Sequence, residues 1–407
     1  MPTTTNTNFT PYQIFLVATI SLALFTVVVD YMTLPALSAV LLTELNITTE
    51  QFGLIVSAYA FSAGISGILT AGFADKFDRK KLLAFYYGGF LIGVISCAVV
   101  QNLTAFIIAR IITGIFGGVV ASICFSIVAD LFATDQRGRV MGFVQMAFAG
   151  SQILGLPAAL YVATNFNWQF SFWSIAALAT VVLIIIILKI NPITDHLENT
   201  NIENPLNHIF KTLKSRDYLT VFSNNILLVF GDVMFMTFGS AFATNNLGIF
   251  LDDLPLLYGA TGVATFIFGP YIGQLSDRFG KLKVFVIGSI FTIILIGIYS
   301  HLGNTPFWLV VTLHTFLFMG VNARMISSSA LATVVPKASD RGAFMAVDAS
   351  LQQIASGLAA TAAGLVVFQT AEGTIDHYPR LGWLVIGAML VTIILMQAIQ
   401  KIVRRAN

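Results

Sequence analysis

The sequence predicts an all-α membrane protein of twelve transmembrane helices arranged as two six-helix halves. Three observations carry that prediction. Apolar residues make up 57% of the 407 positions and charged residues only 10%, with a mean hydropathy of +0.86, a balance foreign to water-soluble domains. The apolar residues fall in continuous runs of about 20, the length that crosses ~30 Å of hydrocarbon as a helix, and continuous rather than alternating runs exclude a β-barrel. Finally, the chain repeats itself. AGFADKFDRKK from Ala71 is answered by GQLSDRFGKLK from Gly273, with Asp75 and Asp277 aligned 202 positions apart (277 less 75), and DQRGRVM from Asp135 is answered by SDRGAFM from Ser339. Parallel repeats of about six helices are one way of building a secondary transporter.

The elements follow in order. Span one, 13–36, is apolar for too long to be a signal peptide, has no basic region before it and shows no plausible cleavage site, so it is expected to be retained. Span two, 51–74, runs into the first copy of the repeated loop. Spans three, 82–101, and four, 104–130, carry Cys97 and Cys124 near opposite ends, which argues against a disulfide. Span five, 138–162, follows the second repeated motif, and span six, 171–190, completes a first bundle over 1–190. The linker 191–217 holds Asp195, Glu198 and Glu203, then a basic LNHIFKTLKSRD segment expected to lie as an amphipathic helix on the membrane surface. Its His196 and His208, twelve apart, have no cysteine nearby, so a metal site is not expected there. The second bundle, 218–407, contains span seven, 218–244; span eight, 255–275, leading into the second loop copy; span nine, 283–301; span ten, 306–332; span eleven, 341–368; and span twelve, 381–402.

Basic residues favour the cytoplasmic side. All but three of the 21 Lys and Arg fall at 75–81, 135–139, 189–217, 277–283, 337–341 and in the tail from Lys401, while Arg110 and Arg324 lie inside spans and Arg380 lies in the loop before span twelve. Both termini are therefore expected to be cytoplasmic, in a multi-pass protein of the cell inner membrane.

The repeated loop, with its twelve spans in two halves, resembles the signature of the major facilitator superfamily. The second copy carries the full pattern in Gly273, Asp277, Arg278, Gly280 and Lys281; the first has Ala71 and Asp78 in place of two glycines, Asp78 being a residue that tolerates the left-handed conformation of a tight turn. The resemblance implies a cytoplasmic gate in which Asp75, Arg79, Asp277, Arg278 and Lys281 clamp neighbouring helix ends in the outward-facing state, with Asp130 at the end of span four as a further member. In span four, RIITGIFGG from Arg110 resembles the pattern of proton-coupled members. In span five, GSQILGLP, with Gly150, Gly155 and Pro157, resembles the antiporter motif of drug and metabolite exporters. Small residues there permit close helix approach, and Pro157 bends the helix or frees a carbonyl beneath the cavity.

An ionisable residue at membrane depth costs at least ~2.5 kcal/mol and is a functional hypothesis by default. Counting from helix ends at about 1.5 Å per residue places Asp30 of span one and Arg110 of span four at one level, which predicts an ion pair. The resemblance implies that such an acid takes part in proton and substrate competition; the alternative is a permanent pair that holds the helices in register. The same count sets Arg324 level with Asp348 and predicts a structural pair there, with Arg324 the member suited to touch an anionic substrate group. Asp232 is then left without a basic neighbour. A lone carboxyl can stay protonated until water or a cation reaches it, as coupling requires, and His314 of span ten is its nearest candidate partner. The plainer role for Asp232 is a hydrogen bond to a neighbouring helix in protonated form, and for His314 packing with one hydrogen bond.

Phe230, Phe235 and Phe238 with Met234 and Met236 offer an adaptable apolar wall, and Asn224, Asn225, Gln145, Gln152, Gln352 and Gln353 suit hydroxyl-bearing solutes, although amides also join helices. Neither set selects a substrate. No phosphate-binding loop, nucleophile and base pair or metal cluster stands out, so the expectation is not an enzyme. It is a monomeric transporter with no cofactor, metal or nucleic acid, its partners being a small-molecule substrate, protons and the lipid bilayer. Export of a drug-like compound, sugar or related metabolite against protons is the primary reading. Uptake by symport or facilitation is the alternative, and a transport-dead sensor on the same fold is the rival from another class.

Overall fold

The computed structural model of the chain describes residues 9–194, 197, 212–337 and 340–406. His196, His208 and the first part of the LNHIFKTLKSRD segment lie outside the described residues. Local capping chemistry sets many of the helix starts. Span one, Pro11–Ala36, begins with a reciprocal box in which the Thr10 hydroxyl accepts from the Gln13 N–H and the Gln13 side chain accepts from the Thr10 N–H; Thr48 and Gln51 repeat it at span two, Thr49–Ala71. Asn102 and Asn167 cap span four, Leu103–Leu131, and span six, Trp168–Lys189. The second half comprises span seven, Arg216–Met236 continued by Gly239–Asn245, then Leu254–Phe279, Lys281–Tyr299, Phe307–Ala332, Arg341–Val366 and Tyr378–Ala406. A short hairpin, Phe368–Gln369 against Ile375–Asp376, joins the last two.

Among the described residues eleven helices are long and apolar enough to span a membrane on their own composition. The twelfth, Arg341–Val366, has the length at 26 residues, but its sequence is interrupted by Asp348, Gln352 and Gln353 and is rich in Ala and Gly. Span eleven is less apolar because one of its faces is turned to span two rather than to lipid. Thr49 Oγ1 donates to the Gly364 and Val367 carbonyls at 3.2 and 2.7 Å, and a Cβ on Gly64 would lie 2.9 Å from the Ser350 carbonyl oxygen.

The two copies of the repeated loop make their turns differently. Gly280 has φ +96° and needs to be glycine. Asp78 corrects the expectation of a left-handed residue: its φ is −53°, and its carboxylate caps span three, Arg79–Val99, by accepting from the Lys80 N–H at 2.9 Å and from the Ile193 N–H at 3.0 Å. Acid replaces glycine there because the first loop turns through a short 3-10 segment, Ala74–Lys76, and requires a helix cap.

Span five consists of Thr134–Gly150, a π-helical turn over Ser151–Gly155, and Leu156–Asn165. Pro157 supplies no N–H and crowds the carbonyl four residues earlier, so the helix widens just ahead of it. The widened turn is where span eight meets span five: a Cβ on Gly262 would sit 2.6 Å from the Gln152 carbonyl oxygen. Gly262→Val is therefore expected to overpack the junction and cost about 1–3 kcal/mol, read as a fall in the melting temperature of the detergent-solubilised protein. An unchanged melting temperature would mean that these helices do not meet at Gly262.

Contact between the halves is uneven along their length. At the end opposite the basic loops, Ser38 and Ser240 share a hydrogen bond of 2.8 Å, and the Phe52 and Phe238 rings lie 5.5 Å apart. Toward the basic end, a Cβ on Gly138 or Gly142 of span five, or on Gly269 or Gly273 of span eight, would have no heavy atom within 4 Å. The halves touch at the first end; toward the basic end these four glycines are open, while spans two and eleven stay packed, a Cβ on Gly67 meeting Ser350 Oγ at 2.8 Å.

Candidate substrate and coupling site

Asp30 and Arg110 come together where spans one and four cross. Arg110 Nη1 donates to Asp30 Oδ2 at 2.9 Å, and both side chains are shielded almost completely, at 1% and 0% exposure. The guanidinium carbon lies 4.6 Å from the centre of the Tyr59 ring, a cation–π contact from span two. Tyr31, next to Asp30 in the chain, shares a 2.8 Å hydrogen bond with Ser356 of span eleven, so the pair borders a contact between the halves.

The second half repeats this arrangement. Arg324 does not pair with Asp348, which corrects the sequence expectation: its Nη1 donates to Asp232 Oδ1 at 2.9 Å and its Nη2 reaches Thr392 Oγ1 at 3.5 Å. Counting along helices fixes depth but not the face on which a side chain emerges, and Arg324 faces spans seven and twelve. Asp232 is consequently not a lone carboxyl, nor is His314 its partner. The His314 ring bonds the Thr261 hydroxyl through Nδ1 at 2.9 Å and packs against Tyr258 and Phe318 at centroid distances of 5.4 and 4.6 Å. Asp348 instead accepts from Asn225 Nδ2 at 3.0 Å on each oxygen and from Gln352 Nε2 at 2.8 Å.

Both ion pairs are one-handed. Asp30 Oδ1 and Arg110 Nε in the first, and Asp232 Oδ2 and Arg324 Nε in the second, are buried atoms without a hydrogen-bond partner. A permanent lock would gain by engaging them, since an unsatisfied buried group costs about 1–3 kcal/mol. Each pair thus keeps one carboxylate oxygen unengaged. Asp232 is 202 positions after Asp30 (232 less 30), the offset of the repeated loops, and each carboxyl meets an arginine three helices further on.

At the basic end, Arg79 gathers the first loop: its Nη2 donates to Asp75 at 2.7 Å, its Nε to Asp130 at 2.8 Å and its Nη1 to the Ala74 carbonyl at 3.1 Å. The second copy is slack. Lys281 and Asp277 stand 3.8 Å apart on the surface, and Arg278 lies over the Phe279 ring. The structure brings Asp75, Arg79 and Asp130 together and leaves Asp277, Arg278 and Lys281 as a local group. Gly150 and Gly155 line the junction of spans one and five, against Phe25 and Val29, and Ser151 donates to the Phe25 carbonyl. Cys97 and Cys124 are free thiols. Tyr31, Tyr59, Ser356 and Thr392 were not anticipated from the sequence; the one signal for any of them is the position of Tyr31 beside Asp30.

Known proteins share both the sequence pattern and the architecture. The model of the Major Facilitator Superfamily matches residues 19–360 and 221–404. The MFS-type transporter YbcL of Bacillus subtilis (strain 168) is 24% identical over 341 residues, which cover 83% of this chain and 85% of YbcL. Multidrug resistance protein 3 of the same bacterium is 28% identical over 124 residues, 30% of this chain and 24% of its own. Among solved structures, the nucleoside transporter NupG superposes with a TM-score of 0.75 at 16% identity, covering 94% of this chain and 99% of its own. A bacterial homologue of the human lysosomal transporter Spinster, in an inward-facing and unoccupied conformation, gives 0.72 at 12% identity over 97% of each chain. With a match running across nearly the whole sequence and the twelve-helix, two-half fold beneath it, this chain belongs to the Major Facilitator Superfamily, a transporter family rather than an enzyme family.

Proposed function

We propose that the chain is a monomeric, proton-coupled exporter of a small organic solute in the cell inner membrane, with the basic end and both termini in the cytoplasm. The observation that carries this reading is the pair of buried, one-handed carboxylate–arginine contacts, one in each half. Each offers a spare carboxylate oxygen inside a transporter whose spans five and eight leave space at the basic end. In that orientation the space between spans five and eight faces the cytoplasm, and solute enters there. Rocking of the halves then opens the opposite end, and protons arriving on Asp30 or Asp232 weaken the hold of Arg110 or Arg324 and discharge the solute outside. Return to the inward-facing state releases the protons to the cytoplasm. Asp75, Arg79 and Asp130 are the cytoplasmic gate of this cycle, completed by Asp277, Arg278 and Lys281 when the basic end closes, and Gly150, Gly155 and Pro157 form the flexible element of span five. His314 serves as a packed wall residue. The partial likeness to a multidrug resistance protein supports export over uptake.

The test is reconstitution in liposomes containing a pH-sensitive dye, with cationic drugs, sugars and nucleosides screened for proton movement. Wild type is expected to move protons opposite to solute, and Asp30→Asn and Asp232→Asn to lose that exchange. Solute movement without proton flux, unchanged in both variants, would make the protein a facilitator with structural carboxylates.

A further inference from the structure

Asp348 is the one buried carboxylate within the spans, among the described residues, that has no basic partner. It stands at the wall of a cavity of about 110 Å³ between spans seven, ten and eleven, toward the basic end. We propose that this cavity is a binding subsite for an organic ammonium group: a primary or secondary amine carried on a small apolar body. The inference rests on the reading of the chain as a carrier of small organic solutes and names the class of solute; it does not depend on proton coupling.

The cavity has a mixed lining. Asp348, Asn225, Ser328, Ser329, Thr333 and Gln352 supply polar groups, and Leu228, Phe344 and Met325 supply apolar surface. A carboxylate offers about four acceptor positions, and the contacts from Asn225 and Gln352 use three of them. The remaining position is open to one strong donor. The negative charge itself is not balanced by these neutral amides, and the nearest arginine along span ten, Arg324, is committed to Asp232 and Thr392. A buried carboxylate held by neutral donors alone gains most from a cation.

A metal ion fits this cavity poorly. Hard cations require several oxygen ligands, carboxylates among them, whereas here Asp348 is the one carboxylate in the lining and the amides turn N–H groups toward it. An ammonium needs a single charged acceptor, and its carbon body needs an apolar wall. Thioether and aromatic surfaces such as Met325, Met345 and Phe344 adapt to varied bodies. Met325 and Met345 are exposed at 39% and 47%, so the lip of the cavity is reachable. The volume suits one head group rather than an entire drug-sized solute.

The experiment is equilibrium binding to the full-length protein in nanodiscs, with benzylammonium as probe and benzyl alcohol as its neutral counterpart. Wild type is expected to bind the ammonium at least about tenfold more tightly than the alcohol. Asp348→Asn should lose about tenfold or more of the ammonium affinity and leave the alcohol unchanged, the loss that follows removal of a buried charged partner. Ala332→Phe, which fills the cavity without touching the carboxylate, should weaken both ligands, and it decides the matter if Asp348→Asn does not fold. Equal affinity for the two ligands in wild type, or unaltered ammonium binding in either folded variant, would overturn the proposal. The outcome is separable from that of the coupling reading: ammonium binding dependent on Asp348 in a protein that moves no protons sustains this subsite alone, whereas proton exchange in a protein that does not bind ammonium removes it alone.

Discussion

Arg110→Ala is expected to cost about 3–5 kcal/mol of stability, the range found when one partner of a buried ion pair is removed and the other charge is stranded. Asp30 would then sit with 0% exposure and no counter-charge. The loss should be visible as a sharp drop in the melting temperature and in the monodisperse fraction after extraction. Arg324→Ala should cost less, because the Asp232 side chain is less completely shielded than that of Asp30, at 10% against 0% exposure. Neutralising both members together, Asp30→Asn with Arg110→Gln, should recover most of the stability, since no charge remains buried, while proton exchange stays absent. That combination separates the two roles of the pair. A double variant that is stable and still exchanges protons would leave the Asp30–Arg110 contact as a helix fastener and place coupling elsewhere. Equal destabilisation by Arg110→Ala and Arg324→Ala would show instead that burial of the stranded acid does not set the cost.

Helix spans and the two-half layout were legible in the sequence because both rest on one-dimensional quantities, the length of apolar runs and an offset between repeats. The level of Asp30 with Arg110 was legible for the same reason. The pairing in the second half was not, because levels alone leave the azimuth of each side chain open and Arg324 has a choice of acids within its reach. The repeat itself held the missing information. Carrying Asp30 forward by the loop offset gives Asp232, and carrying its partner helix forward by half the fold gives span ten, so the internal symmetry selects Arg324 where depth selected Asp348. Asp78 was misjudged for a different reason: a residue in place of glycine signals a left-handed turn only if the turn is kept, and the first loop rebuilds it around a helix cap. The contact of Tyr31 with Ser356 depends on how the two halves dock, and that of Arg110 with Tyr59 on how helices pack within the first half. No pattern along the chain encodes that.

The same offset joins Ser38 to Ser240, and here the symmetry makes a latch. Each serine hydroxyl accepts, at 3.2 Å, from the backbone N–H of the residue following the other serine, Ala39 in one direction and Ala241 in the other, and the two hydroxyls share a bond of 2.8 Å. Those N–H groups belong to the first turns of Ser38–Glu44 and Gly239–Asn245, whose amides have no partner within their own helices. Each half therefore caps the other, at the end that must open if the carrier is to alternate. Opening exchanges these bonds for water at small net cost, as a gate requires. Ser38→Cys combined with Ser240→Cys places two thiols where the hydroxyls now touch, close enough for a disulfide. Under oxidation the double variant is expected to stop transport completely, with solute still entering from the basic end and binding, and reductant is expected to restore the wild-type rate. Each single variant should transport normally under both conditions. A cross-linked protein that continued to transport would show that this end does not part during the cycle, and the alternation of access proposed for the two halves would fail with it.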